Sequence, residues 1–290
     1  MKVILCQPAI PYLQWQLEVL LTNVRQFSGF EIVLLFTERD FTVPGFFRKN
    51  YPECSVFVYP ERSDRHYIPS VKPYLFWQYL AEDVAREQDD YFYIDADVIF
   101  REWIDFATLG FDATTWVASH CKGYIAYDDY LKTLKDGEAI ISRMAEITGI
   151  TVEQAKAAPP AGAQWVISKP TAEYWRRVYD DSNAIYNYFE PLDSTIQKWT
   201  AEMWAQLYGA IREGKTVKTS SELDFIMPTN HVVDWDKVKI LHNAGVTNME
   251  LNLFFKGGFI DKRPFGHDFS QVDPNKASVK YVEAIQKVLQ

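Results

Sequence analysis

The run Tyr91-Phe92-Tyr93-Ile94-Asp95-Ala96-Asp97-Val98-Ile99-Phe100 sets two carboxylates into an otherwise apolar stretch of strand-forming residues. The flanking β-branched and aromatic side chains predict a buried central strand. An ionised carboxylate in such a strand is very costly unless it is paired or bound to a metal. Asp95 and Asp97 lie two positions apart and so project to one side of an extended chain. At a strand's end they would form a two-oxygen clamp for a hard divalent cation, Mn²⁺ or Mg²⁺, whose remaining ligands come from water and substrate phosphates. The competing reading is a strand that simply runs out into a polar turn.

The chain has 290 residues, enough for one large core, and 48% apolar with 24% charged residues is ordinary for a globular protein. Its 16% aromatic content is high, which suits flat ligands but equally suits cores and interfaces. A net charge of -9 disfavours a broad nucleic-acid-binding surface and leaves room only for a local basic groove. Cys6, Cys54 and Cys121 are scattered, without metal-ligand spacing, and read as reduced thiols. Gln7-Pro8 breaks the N-terminal apolar run, and no stretch is long enough to span a membrane, so a cytoplasmic protein without membrane contact is expected.

In chain order, Val3 to Cys6, Glu31 to Thr37 and Cys54 to Tyr59 read as strands. Tyr12 to Phe27 and Lys72 to Ala85 read as helices. This alternation predicts an α/β fold, a mixed and mainly parallel sheet flanked by helices with right-handed crossovers. Ligands in such sheets bind beyond the carboxyl ends of the strands, where Gln7, Thr37 and Asp97 would fall. Neither a Gly-x-Gly-x-x-Gly nor a Walker loop is present to hold phosphate.

Further on, Trp116 to His120 and Gln164 to Ser168 read as strands, and Asp136 to Thr148 and Ala172 to Tyr179 as helices. The small-residue loop Ala157 to Ala163 either lets backbone approach a ligand near Gly162 or is a plain connector. A helix over Thr195 to Ile211 would carry Trp199, Met203, Trp204, Leu207 and Ile211 on one face with Glu202 beside them. Buried there, Glu202 would have a raised pKa suited to a general base; exposed, it would be an ordinary helix glutamate. Val238 to Leu241 is a short strand ending in His242-Asn243-Ala244-Gly245. A neutral imidazole at that position is either a third metal ligand or a plain core or surface histidine. Lys256 and Lys262 follow, placed to neutralise a diphosphate. Asn275 to Leu289 reads as an amphipathic C-terminal helix.

The order of these pieces resembles that of the metal-dependent GT-A glycosyltransferases, and more narrowly the hydroxyproline O-arabinosyltransferase and peptidyl-serine galactosyltransferase group. The carrying residues are Ser70-Val71-Lys72-Pro73-Tyr74, Ile94-Asp95-Ala96-Asp97-Val98-Ile99, Gly162-Ala163-Gln164-Trp165-Val166-Ile167, Trp199-Thr200-Ala201-Glu202-Met203-Trp204 and Leu241-His242-Asn243-Ala244-Gly245. The resemblance implies one catalytic domain over 1–290. Residues 1–110 would be its nucleotide-sugar-binding half, 111–270 a half that completes the metal site and forms an acceptor-side lobe, and 271–290 the closing helix. It implies that Asp95, Asp97 and His242 hold Mn²⁺ or Mg²⁺ on the diphosphate of a nucleotide sugar, and that a hexose or arabinose moves from a UDP-sugar to an acceptor hydroxyl. Gln7, Arg65, Lys72, Gly162, Lys256 and Lys262 would lie by the donor, and Glu202 by the acceptor.

Asn243 stands where the narrower group has an aromatic residue. GT-A relatives in bacteriophages glycosylate hydroxylated pyrimidines of DNA, and a chain without an anchor suits DNA modification of that kind. Lys237, Lys239, Lys256, Lys262 and Arg263 would offset the acidic surface. A peptide or glycan hydroxyl is the alternative acceptor. A nucleotidyltransferase, or an inactive module that keeps the nucleotide-sugar pocket, are the other readings; Cys6 to Pro11 lacks the glycine-rich loop of the first.

Overall fold

The computed structural model describes residues 1–62, 65–249 and 252–288. The chain runs β1 (Lys2–Pro8), α1 (Pro11–Val24), β2 (Glu31–Thr37), α2 (Thr42–Asn50), β3 (Cys54–Tyr59), α3 (Val71–Glu82), β4 (Asp90–Tyr93), β5 (Val98–Phe100), β6 (Thr115–His120), α4 (Gly137–Thr148), α5 (Val152–Ala157), β7 (Ala161–Ser168), α6 (Ala172–Phe189), α7 (Ala201–Arg212), β8 (Thr216–Thr219), β9 (Phe225–Ile226), β10 (Ile240–His242) and α8 (Ser278–Lys287).

Among the described residues, the strands form a seven-stranded sheet in the order β3-β2-β1-β4-β7-β6-β8 and a three-stranded sheet in the order β5-β10-β9. In the large sheet β7 alone runs against its neighbours β4 and β6, so the sheet is mixed and mainly parallel, as expected. Strand alternation builds its two faces. Ile4, Cys6, Tyr91, Tyr93, Trp116 and Trp165 pack with α3, α4, α6 and α7. Val3, Leu5, Leu34, Phe36, Phe92 and Val166 pack with α1 and α2 on the other side. A third cluster, centred on Trp15, Leu241, Phe254 and Tyr281, joins α1 to the small sheet and α8.

The expected single strand over 91–100 is two strands in different sheets. β4 stops at Tyr93 beside β1, and β5 begins at Val98 against β10, so Asp95 and Asp97 lie in the connection between sheets. The apolar run persists because both strands are buried throughout their contact with the core. Ala172–Phe189 is a longer helix than the sequence suggests, and Thr195 to Ile211 a shorter one. α7 starts only at Ala201, after a 3₁₀ turn at Lys198–Thr200. Trp199 therefore falls outside the helix and is 52% exposed instead of joining the buried stripe.

The strand pairing of β6 with β7 is broken by a bulge. Ser119 pairs with Gly162, whereas Ala118 pairs with Trp165, so Ala163 and Gln164 are extra on β7. Ala163 takes φ 54° there, a left-handed backbone that costs a non-glycine residue about 1 kcal/mol. Bulges of this kind re-aim side chains.

Candidate functional site

A cavity of about 850 Å³ opens at the carboxyl ends of β1 and β4, where the two sheets meet. Gln7 and Pro8 from β1, Tyr12 and Gln16 from α1, and Lys72 from α3 form one side. Tyr124, Ala163, Trp199, Glu202 and Met203 form another, and Asp95, Asp97, His242 and Lys256 lie between. The β10–β5 register pairs His242 with Val98, which carries the imidazole beside the two aspartates. The Asn243 N–H donates to the Asp97 carbonyl at 2.8 Å and fixes the connection to the end of β10.

One ligand atom each from Asp95, Asp97 and His242 lie within 4.8 Å of one another. His242 Nε2 is 3.3 Å from Asp97 Oδ1 and 3.6 Å from Asp95 Oδ2. Two carboxylates and an imidazole are a donor set that suits a divalent cation, and their convergence on the cavity wall fits such an ion. Lysines balance the same carboxylates. Lys256 Nζ sits on Asp97 Oδ2, and Lys72 Nζ bridges Asp95 Oδ1 at 3.2 Å and Glu202 Oε2 at 3.1 Å. Burial pushes the Asp97 carboxyl up, but Lys256 and His242 outweigh it and hold the group well below the usual carboxylate range. Burial alone would lower Lys72, yet Asp95 and Glu202 keep its ammonium well above the ordinary lysine value.

Glu202 lies at the start of α7, where the positive end of the helix favours a carboxylate. Its own N–H donates to the Tyr67 hydroxyl at 2.9 Å, and that hydroxyl donates to the Trp199 carbonyl at 2.5 Å. The side chain is 2% exposed, with Oε1 accepting from the Tyr93 hydroxyl at 3.2 Å. Burial raises its pKa, aided by Asp95 and opposed by Lys72. Gln7 is equally buried, and its Nε2 finds no acceptor among the described residues although the residue lines the cavity. Left without an acceptor, such a buried donor costs about 1–3 kcal/mol.

Seven of the sequence candidates thus meet around one cavity: Gln7, Lys72, Asp95, Asp97, Glu202, His242 and Lys256. Three do not. Arg65 is exposed on the loop before α3 and does not line the cavity. Lys262 is exposed, with Nζ 5.2 Å from the centre of the Phe259 ring. Gly162 is a packing glycine between β7 and α7: a Cβ there would lie 2.6 Å from Met203 Cε and 3.1 Å from Cys121 Sγ. The cavity is lined by its neighbour Ala163 instead. Thr37 also turns elsewhere, with Oγ1 donating to Glu61 Oε2 at 3.2 Å. The basic residues that favoured DNA mostly pair within the chain: Lys237 with Asp234, Lys239 with Glu222, Lys256 with Asp97 and Arg263 with Glu18. Sequence reasoning overlooked Tyr67, Tyr93 and Tyr124, because a tyrosine in an apolar run carries no signal of what its hydroxyl will touch.

No helix among the described residues is long and apolar enough to cross a membrane. No protein-family model and no curated protein matches the chain. Among solved structures, it is similar to an active-site mutant of LgtC, at 12% identity over 98% of this chain and 95% of that one, with a TM-score of 0.54. It is equally similar to the galactosyltransferase LgtC in complex with donor and acceptor sugar analogues, at 12% identity, the same coverage and a TM-score of 0.53. The likeness spans nearly the whole of both chains and shows the fold alone: a mixed α/β architecture of the GT-A kind.

Proposed function

We propose that this chain is a glycosyltransferase that moves a sugar, hexose or pentose, from a nucleotide-sugar donor, a UDP-sugar, to an acceptor hydroxyl. The observation that carries this reading is the Asp95-Asp97-His242 cluster at the wall of the large cavity. The shared fold with a galactosyltransferase supports it. Asp95, Asp97 and His242 would hold Mn²⁺ or Mg²⁺, and the ion, when bound, supplies Lewis-acid stabilisation of the departing diphosphate. Lys256 and Lys72 add positive charge at the same wall, and Gln7 offers its amide to the donor. Glu202, whose buried carboxylate binds a proton more tightly than usual, suits acceptance of the acceptor's proton.

The acceptor side is apolar and aromatic. Trp199 and Tyr124, with ring centres 5.6 Å apart, and Met203 offer a wall for a flat or apolar face next to the reacting hydroxyl, as a glycan or peptide would present. The internal pairing of the basic residues leaves a DNA acceptor with less support than these.

Sugar release from UDP-sugars, followed with and without EDTA, tests the reading. Release that stops with EDTA and returns with Mn²⁺ is expected. Pyrophosphate exchange with a nucleoside triphosphate would point to a nucleotidyltransferase, and donor binding without turnover to an inactive module. Asp97→Asn should lower turnover by on the order of 10³-fold, since a Lewis acid contributes several kcal/mol. Unchanged turnover at saturating donor and fixed Mn²⁺ would remove Asp97 from the cation site. Offering a glycan, a hydroxyproline peptide and hydroxymethylated DNA in parallel identifies the acceptor class.

A further inference from the structure

His242 can ligate a cation through Nε2 only if that nitrogen carries a lone pair, which in a neutral imidazole puts the proton on Nδ1. What faces Nδ1 therefore decides whether the ring is ready for an ion. That partner is Gln164: its Nε2 lies 3.4 Å from His242 Nδ1, and its Oε1 accepts from the Ser119 hydroxyl at 2.5 Å. Ser119 and Gln164 are fully buried and His242 nearly so, so water does not compete for these groups. With the amide nitrogen toward Nδ1, the tautomer that accepts from it carries its proton on Nε2, 3.3 Å from Asp97 Oδ1. A half-turn of the carboxamide about its last bond exchanges the two ends. Gln164 Oε1 then accepts from Nδ1–H, its amide donates to the Ser119 oxygen, and Nε2 is free to bind a cation. The exchange of tautomers takes one proton from Nε2 and puts one on Nδ1.

Few side chains can serve both arrangements. A carboxamide offers a donor and an acceptor on one rigid plane, and a hydroxyl such as that of Ser119 can give or take a hydrogen bond. The fold also goes out of its way to put a glutamine there. Gln164 is one of the two extra residues of the β7 bulge opposite Ala118 and Ser119, and the preceding Ala163 holds a left-handed backbone, φ 54°.

Resting on the reading of Asp95, Asp97 and His242 as a cation site, we propose that Gln164, backed by Ser119, is the positioning residue that sets the tautomer of His242. It presents its carbonyl oxygen to Nδ1–H when Nε2 takes the ion, and its amide when Nε2 donates to Asp97.

The test has two arms. Nitrogen-15 NMR of the histidine rings in the wild-type protein reads the tautomer directly, with Cd²⁺ as a diamagnetic stand-in for Mn²⁺. The His242 proton is expected on Nε2 before Cd²⁺ is added and on Nδ1 after it. Calorimetry with Mn²⁺ then compares variants. Gln164→Met removes both functions at nearly constant length and should weaken Mn²⁺ binding by about 10–100-fold, the scale for a group that orients a metal-bound histidine. Ser119→Ala leaves the amide in place but unbacked and should cost less. If Gln164→Met fails to fold, the NMR arm and Ser119→Ala still decide. Mn²⁺ affinity indifferent to both substitutions, or a proton that stays on Nε2 in the presence of bound Cd²⁺, would overturn the inference alone. A wild-type protein that binds no divalent cation would overturn the cation site and this inference with it.

Discussion

Glu202 is the residue on which the proposed division between donor and acceptor turns. Its carboxylate lines the cavity yet is held on both oxygens, by Lys72 and by the Tyr93 hydroxyl, so it is fixed in place before any acceptor arrives. Glu202→Gln keeps the shape but can accept from only one of these two donors, its NH2 facing the other, and it removes the proton-accepting charge. Donor affinity, measured by calorimetry, should stay within a few-fold, while single-turnover transfer should fall by on the order of 10²-fold, the usual scale of one general base. Equal losses in both would assign Glu202 to holding Lys72 and Asp95 instead. At this scale, residue type in context was informative wherever chemistry was unusual for its surroundings. Carboxylates in an apolar run and a histidine closing a strand pointed to Asp95, Asp97 and His242, which the fold does bring together. Isolated positive charge was uninformative: nothing in the sequence distinguishes Lys256, which faces Asp97, from Lys262, which lies exposed over Phe259.

Elements were legible where periodicity was long and uninterrupted. β1, β2, β3 and α1 fall where the sequence places them to within a few residues. The run at 91–100 misled because a strand that ends and another that begins, both buried, look the same as one continuous buried strand; the sequence does not mark which sheet each joins. α2 was not expected at all, since Pro44 and Gly45 sit inside a nine-residue helix. Helix α1 carries a further feature that its pattern hides, a glutamate on its buried face. Glu18 is buried, accepts from Gln14 Nε2 at 3.1 Å, and is paired with Arg263 from the segment before α8. Burial raises its pKa, and Arg263 and Gln14 counteract this only in part. The unfolded chain therefore gives up this proton at lower pH than the native one does. The native state is favoured below the ordinary carboxylate range, and that contribution is lost as pH rises toward the native value. Glu18→Gln has no proton to lose. Urea unfolding between about pH 4 and 7 should show the variant gaining stability relative to wild type as pH rises. A constant difference across that range would mean that Glu18 titrates normally.

The molecule as a whole is two sheets between which the chain crosses after β4, after β5 and after β8, and the candidate site lies at the first of these crossings. β1 and β4, at whose ends the cavity opens, belong to the large sheet, whereas His242 comes from the small one and Lys256 from the segment packed on it, so the site exists only while the two remain docked. Sequence patterning does not reveal this dependence, because the small sheet is built from strands of two and three residues, too short to carry a period. Trp15 on α1 is the side chain that joins the parts. It is fully buried, its ring meets Phe254 and Phe259 edge-on with centres 6.0 and 6.4 Å away, and its Nε1–H donates to the Phe259 carbonyl at 3.1 Å. Phe259 closes the turn that begins at Lys256. Trp15→Ala should cost about 3–5 kcal/mol in urea unfolding, the range for a buried tryptophan. Because the cavity opens under the Lys256 turn, the folded fraction should also lose donor affinity. Leu20→Ala provides the contrast: Leu20 is buried on the same helix but belongs to the cluster of α1, α2 and the large sheet, which Val98, Phe100 and Ile240 also join, and not to that of Trp15 and Phe259. It should lower stability by about 2–5 kcal/mol and leave donor affinity in the folded protein unchanged. Donor binding that survives Trp15→Ala, or falls equally in both variants, would show that the packing between α1 and the Lys256 turn does not position the site.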